Sequence, residues 1–222
     1  MVGMSVAIRL QKIRSRAAKA CAVAGRAEES VNILAVSKGQ PIAKIREAFN
    51  CGQKFFAENY VQEVLIKLEQ LETLPVDWHF IGRIQSNKVK LLAGRFSQIH
   101  SIDRLNIAAT LDSLSLTKPQ EIFLQYNVAD ESSKGGATER DLEELAVKIE
   151  AMPHLRLRGL MVMPPLLENP EQVRPFFKKA RAMRDKLRLN ELSMGTSADF
   201  EVAIEEGATW IRIGTEIFGE RT

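Results

Sequence analysis

Ile33-Leu34-Ala35-Val36-Ser37-Lys38-Gly39-Gln40-Pro41 is the stretch that decides how this chain is read. An apolar run that ends in a polar turn describes a buried strand. A doubly wound nucleotide-binding sheet would carry a G-x-G-x-x-G turn after its first strand. None stands here, so the open sheet becomes the second choice. Working outward, seven more short runs follow: Lys54–Ala57, Trp78–Gly82, Gln98–Ile102, Glu121–Val128, Leu155–Met163, Glu191–Gly195 and Thr209–Gly214. Stretches of helical period lie between them. Val61, Val64, Leu65, Leu68 and Leu71 form one such face. Leu142, Leu145, Ile149 and Met152 form another, and Val173, Phe176, Phe177, Ala180, Met183 and Leu187 a third. Strand then helix, repeated, implies parallel strands with right-handed crossovers, and eight such units close into a (β/α)8 TIM barrel.

The 222 residues suit one α/β barrel of about 200–250 residues. No linker or low-complexity stretch divides them, so residues 1–222 read as a single domain. Residues 1–26 carry Arg9, Lys12, Arg14, Arg16, Lys19 and Arg26 and no acid, as a mitochondrial transit peptide does. The stripe Val6, Leu10, Ile13, Ala17, Cys21 and Ala24 favours instead an extra N-terminal helix packed on the barrel.

Composition narrows the function classes. A net charge of +3 is too weak and too dispersed for nucleic acid, though compatible with a small anionic ligand. No run approaches the ~20 apolar residues of a membrane span. Cys21 and Cys51 fit no metal or redox spacing and read as ordinary thiols of a reducing cytosol. A cytoplasmic protein without metal, nucleic-acid or membrane partner is expected, and no large apolar stripe argues against a monomer.

In such barrels, function gathers where strands end and helices begin. The polar residues there are Lys38, Glu58, Asn59, His79, Ser101, Asp103, Asn127, Ser197, Arg212, Gly214 and Thr215. A lysine leaving a buried strand is partly desolvated, which favours the neutral amine and Schiff-base chemistry; a solvated loop lysine is the plainer alternative. Met194-Gly195-Thr196-Ser197-Ala198-Asp199 and Ile213-Gly214-Thr215-Glu216 are small-residue turns that open helices. Together they suit an anion cradle of the kind that barrels build after strands seven and eight, or are simply capped helix starts. Arg212 lies in an apolar strand and needs a partner, either a buried carboxylate or a ligand heteroatom.

Several of these residues sit in motifs that resemble one family. Ala35-Val36-Ser37-Lys38, Phe56-Ala57-Glu58-Asn59-Tyr60 and Trp78-His79-Phe80-Ile81-Gly82-Arg83-Ile84-Gln85-Ser86-Asn87-Lys88 are similar to the YggS/PROSC family, the pyridoxal 5'-phosphate (PLP) homeostasis proteins. So are Glu131-Ser132-Ser133-Lys134-Gly135-Gly136, Leu157-Arg158-Gly159-Leu160-Met161, Ser193-Met194-Gly195-Thr196-Ser197-Ala198-Asp199-Phe200-Glu201 and Arg212-Ile213-Gly214-Thr215-Glu216-Ile217-Phe218-Gly219. The resemblance spans roughly residues 33–220. It implies the alanine racemase N-terminal barrel with PLP on Lys38 as a Schiff base. It further implies Ser197, Gly214 and Thr215 on the phosphate, Arg212 at the pyridine nitrogen, Asn59 beside the cofactor and His79 lining the pocket. Two departures stand out: Gly39-Gln40 where the family has Thr-Lys, expected to loosen the loop, and Thr196 where it has Met.

The same resemblance implies a regulator of intracellular PLP, and through it of amino-acid and keto-acid balance, rather than an enzyme. PLP-dependent apoenzymes are its expected partners. An arginine cannot supply the acceptor that keeps the pyridine nitrogen protonated, so the electron sink should be weak. Alanine racemase adds a second domain with a catalytic tyrosine, which a chain ending at Thr222 is expected to lack. A PLP-dependent amino-acid racemase of low activity is the alternative. A phosphate-sugar barrel enzyme that uses Lys38 without PLP is the third reading.

Overall fold

The computed structural model describes residues 4–131 and 135–220. Eight parallel strands close into a barrel in chain order: β1 (Asn32–Val36), β2 (Phe55–Glu58), β3 (Asp77–Phe80), β4 (Gln98–Ile102), β5 (Gln120–Tyr126), β6 (Leu155–Val162), β7 (Glu191–Ser193) and β8 (Trp210–Ile213). Closure is made by β8 against β1, with Leu34 opposite Arg212 and Ala35 opposite Ile213. The helices are α1 (Val6–Val23), α2 (Ile42–Asn50), α3 (Val61–Gln70), α4 (Val89–Leu92), α5 (Leu105–Ser113), α6 (Glu139–Glu150), α7 (Arg174–Lys186), α8 (Phe200–Glu205) and α9 (Thr215–Phe218). All eight expected strands form, with ends shifted by a few residues. β3 and β5 move most, each starting one residue earlier and stopping two residues earlier than expected.

Strand alternation sorts the apolar side chains into two layers. Leu34, Val36, Ala57, Ile81, Phe123, Met161 and Trp210 fill the barrel interior, with Phe55 packed against them. A larger set, including Phe56, Ile99, Leu124, Leu160 and Ile211, faces the helices. Each fully buried Leu, Ile or Phe contributes about 1.5–3 kcal/mol through surface removed from water. The predicted face of α7 is buried at Phe177, Ala180 and Met183.

The expected N-terminal helix is α1. Val6, Leu10, Ile13, Ala17 and Cys21 are buried along one stripe, while Ala24 caps the helix end. Ser5 starts it, its hydroxyl accepting from the Ile8 N–H. Arg16 ties α1 to α8 and α9 through Glu201 and Glu216, both at 2.6 Å. These groups are about a third exposed, so each pair adds less than about 1 kcal/mol. No described helix is long and apolar enough to cross a membrane.

Candidate functional site

Lys38 sits in a tight turn at the end of β1. The Gln40 N–H donates to the Ser37 carbonyl at 3.0 Å, which makes Lys38 and Gly39 the central turn residues. Gly39 adopts φ +66°, a left-handed conformation that glycine takes without steric cost. The Gly39 N–H donates to Glu63 Oε1 at 2.6 Å. Gln40 is buried and accepts from Lys44 Nζ at 3.1 Å, which also donates to the Phe218 carbonyl at 2.8 Å. Gly39 and Gln40 are both built into a bonded turn, and Lys38 is half-buried within it.

The turns after β7 and β8 flank this lysine. A Cβ placed on Gly214 would lie 3.3 Å from the Val36 carbonyl oxygen, so the end of β8 abuts the end of β1. The Arg212 N–H donates to the Gly195 carbonyl at 3.0 Å and joins the turn after β7 to the same arc. Asp199 Oδ1 accepts from the Thr196 N–H at 2.6 Å and from its hydroxyl at 3.0 Å. Thr196 thus gives the turn an extra hydrogen bond that a methionine could not supply. Ser197 is half-buried, Gly214 half-buried and Thr215 exposed, which leaves the rim accessible. Lys38, Ser197, Gly214 and Thr215 therefore share one arc of the strand-end rim.

Arg212 lies inside the barrel beneath that arc. One terminal nitrogen donates to Ser193 Oγ at 2.9 Å and the other to the Val162 carbonyl at 2.8 Å. Among the described residues no carboxylate lies within 4.0 Å of it. Burial lowers its pKa to about 10, so it remains cationic at neutral pH with N–H donors to spare. The buried Asp199 carboxylate opposes that shift from beyond 4.0 Å, so among the described residues no carboxylate pairs directly with Arg212.

Asn59 follows β2. Its Oδ1 is buried and has no hydrogen-bond partner among the described residues. Its main chain touches Gly82: a Cβ there would lie 1.9 Å from the Asn59 carbonyl oxygen. Gly82→Ala is expected to destabilise the barrel by about 2–3 kcal/mol, since backbone rather than a flexible side chain must yield. Urea unfolding should read the loss as a lower midpoint, and a midpoint within error of the parent would contradict this packing.

His79 does not join the rim. It points into the barrel, its ring centroid 5.9 Å from Phe55 and 4.7 Å from Trp210. Its Nε2 is 3.3 Å from Asp77 Oδ1, and its Nδ1 is 3.0 Å from His100 Nε2. Phe55, Asp77 and Trp210 open their strands, so this ring faces a cleft of about 630 Å³ at the opposite, strand-start end. Ile81, the next inward residue of the segment, separates it from the rim. The expected pocket-lining role is corrected on this geometry. His100 is held neutral, its pKa pushed well below the usual range by burial, then by His79 and Arg212.

Sequence reasoning missed Glu63 and Lys67. Their i,i+4 spacing on α3 reads as a solvent-facing ion pair, yet Lys67 is buried and meets Glu58. The motif Glu131–Gly136 runs through 132–134, so Lys134 lies outside the described residues. Among the described residues no three His, Cys, Asp or Glu side chains gather as a metal site.

Residues 8–222 match the family model of the alanine racemase N-terminal domain. The pyridoxal phosphate homeostasis protein of Aquifex aeolicus is 47% identical over 226 residues, covering 98% of this chain and 99% of that one. Its counterpart in Escherichia coli K12 is 41% identical over 229 residues, covering 97% of each. PipY of Synechococcus elongatus has been solved with PLP bound, and it superposes with a TM-score of 0.85 at 36% identity, across 97% of this chain and 100% of that chain. An alanine racemase of Corynebacterium glutamicum, at 14% identity and a TM-score of 0.68, shares the fold alone. Matched at such identities over nearly all its length, the chain belongs to the pyridoxal phosphate homeostasis protein family, built on the barrel of the alanine racemase N-terminal domain.

Proposed function

We propose that this protein binds PLP covalently on Lys38 and serves intracellular PLP homeostasis, as the names of its relatives suggest. The observation that carries the reading is a lysine beside two small-residue turns, above a buried guanidinium with no carboxylate partner among the described residues. PLP supplies an aldehyde that condenses with a lysine amine and releases water. The rest is the work of this chain. Ser197, Gly214 and Thr215 would hold the phosphate through hydroxyls and backbone N–H groups. Arg212 would donate to the ring nitrogen, and Asn59 would lie beside the ring. The Asn59 Oδ1, unpartnered among the described residues, and the remaining Arg212 donors fit such a ligand.

The same residues favour a carrier over a catalyst. A guanidinium offers the ring nitrogen a hydrogen bond and accepts no proton in return, so it leaves that nitrogen unprotonated and the electron sink weak. The reading extends to residues 1–222 as one PLP-binding domain. It places a monomer in the cytoplasm, exchanging PLP with PLP-dependent apoenzymes.

Incubation with PLP, borohydride reduction and peptide mass mapping tests the assignment. Label on Lys38 is expected. Label confined to other lysines, or no uptake at all, would overturn it.

A further inference from the structure

Both chain neighbours of Lys38 are held by one buried ionic cluster. Lys67, on α3, has only 6% of its side chain exposed. Its ammonium has three N–H donors and meets three acceptors: the Ser37 carbonyl at 2.7 Å, Glu58 Oε1 at 2.6 Å and Glu63 Oε1 at 2.6 Å. The Glu58 carboxylate, fully buried on β2, also accepts from the Ser37 hydroxyl at 2.6 Å. Glu63 accepts from the Gly39 N–H at 2.6 Å. The carbonyl and hydroxyl before Lys38, and the N–H after it, are therefore tied to the same three charges.

Such a cluster is an expensive way to pack a helix. Desolvating charges usually costs as much as their attraction returns, and an apolar side chain would fill the same space. Val61 and Val64 are buried in that way on this helix. A hydrogen-bonded ionic cluster adds direction instead, because each bond fixes an angle as well as a distance.

We propose that Glu58, Lys67 and Glu63 form a positioning clamp that pins Ser37 and Gly39 and thereby sets the direction in which Lys38 presents its amine to the bound aldehyde. The inference rests on Lys38 being the PLP lysine. With both flanking peptides held, the Cα–Cβ bond of Lys38 has one orientation. Covalent capture, which joins Nζ to the aldehyde carbon and releases the carbonyl oxygen as water, then begins from an aligned pair.

The test compares two ligands. PLP can condense with the amine. Pyridoxine 5'-phosphate has the same ring and phosphate, with a hydroxymethyl group where PLP has its aldehyde, and cannot. Glu63 is the residue to vary, because its side chain is 28% exposed and Glu58 remains to neutralise Lys67 without it. Glu63→Ala is expected to slow covalent capture of PLP by about tenfold while the affinity for pyridoxine 5'-phosphate stays unchanged. Glu63→Gln keeps an acceptor for the Gly39 N–H and should restore most of the rate. Equal losses for both ligands would show general loosening and overturn the clamp, as would a capture rate blind to Glu63→Ala. Wild-type protein that captures no PLP would instead overturn the cofactor reading and the clamp with it.

Discussion

Lys38→Ala is expected to abolish the visible absorbance and the borohydride label of PLP-treated protein while leaving the barrel folded. Lys38 is half-buried at the first central position of a turn, and that turn is closed by main-chain groups of Ser37, Gly39 and Gln40. Removing its side chain opens no core cavity, so stability should change by no more than about 0.5–1 kcal/mol. Binding itself should survive, because the phosphate turns and Arg212 are untouched. Loss of the covalent bond is expected to weaken PLP on the order of 100-fold, about 2.7 kcal/mol at the rate of 1.4 kcal/mol per tenfold. Lys38→Arg separates charge from chemistry. It keeps the cation and lacks a condensing amine, so the label should vanish there too. Retained label in either variant would place the covalent chemistry on another lysine.

The barrel was legible because its signal is repeated. Eight apolar runs with polar turns constrain one another, and an error of two residues at one end of β3 leaves the topology intact. The rim residues Lys38, Ser197, Gly214 and Thr215 were legible for a related reason: they follow strands directly, and every strand end of a parallel barrel reaches the same face. His79 shows where that logic stops. It lies inside its strand, where height in the barrel depends on strand tilt and register, and neither is written in a single strand's sequence. Arg212 could be recognised as needing a partner, but only the fold shows Ser193 and Val162 at two of its donors and no carboxylate within reach among the described residues. Lys67 was hidden more deeply. Glu63 and Lys67 four residues apart on an amphipathic helix look like a surface pair, and only the packing of α3 over the exit of β1 buries the ammonium.

That burial makes Lys67→Met the most destabilising of these substitutions and gives its cost a pH dependence. Breaking a buried pair by removing one partner costs about 3–5 kcal/mol, because the remaining charge is stranded. For a chain of this size, each kcal/mol lowers Tm by about 2–4 °C. The stranded group is Glu58, with one carboxylate oxygen that already lacks a partner among the described residues. Burial raises its pKa above the usual carboxylate range, against the opposing pull of Lys67 and the Ser37 hydroxyl. A group whose pKa is higher folded than unfolded contributes stability that is complete below its unfolded value and is lost as pH rises through the folded one. Removing Lys67 takes away the attraction that opposes burial and moves the folded value further up. The variant's deficit should therefore be smaller at about pH 5, where Glu58 can take up a proton, and larger at about pH 8. Adding Glu58→Gln should recover much of the loss at the higher pH. The introduced amide carries no charge, can still accept from the Ser37 hydroxyl, and offers the Ser37 carbonyl a donor in place of the lost ammonium. Urea titrations of the parent, the single variant and the double variant at both pH values read the coupling directly. A deficit independent of pH, or a double variant no better than the single one, would mean that Lys67 stabilises the barrel by packing rather than by neutralising Glu58.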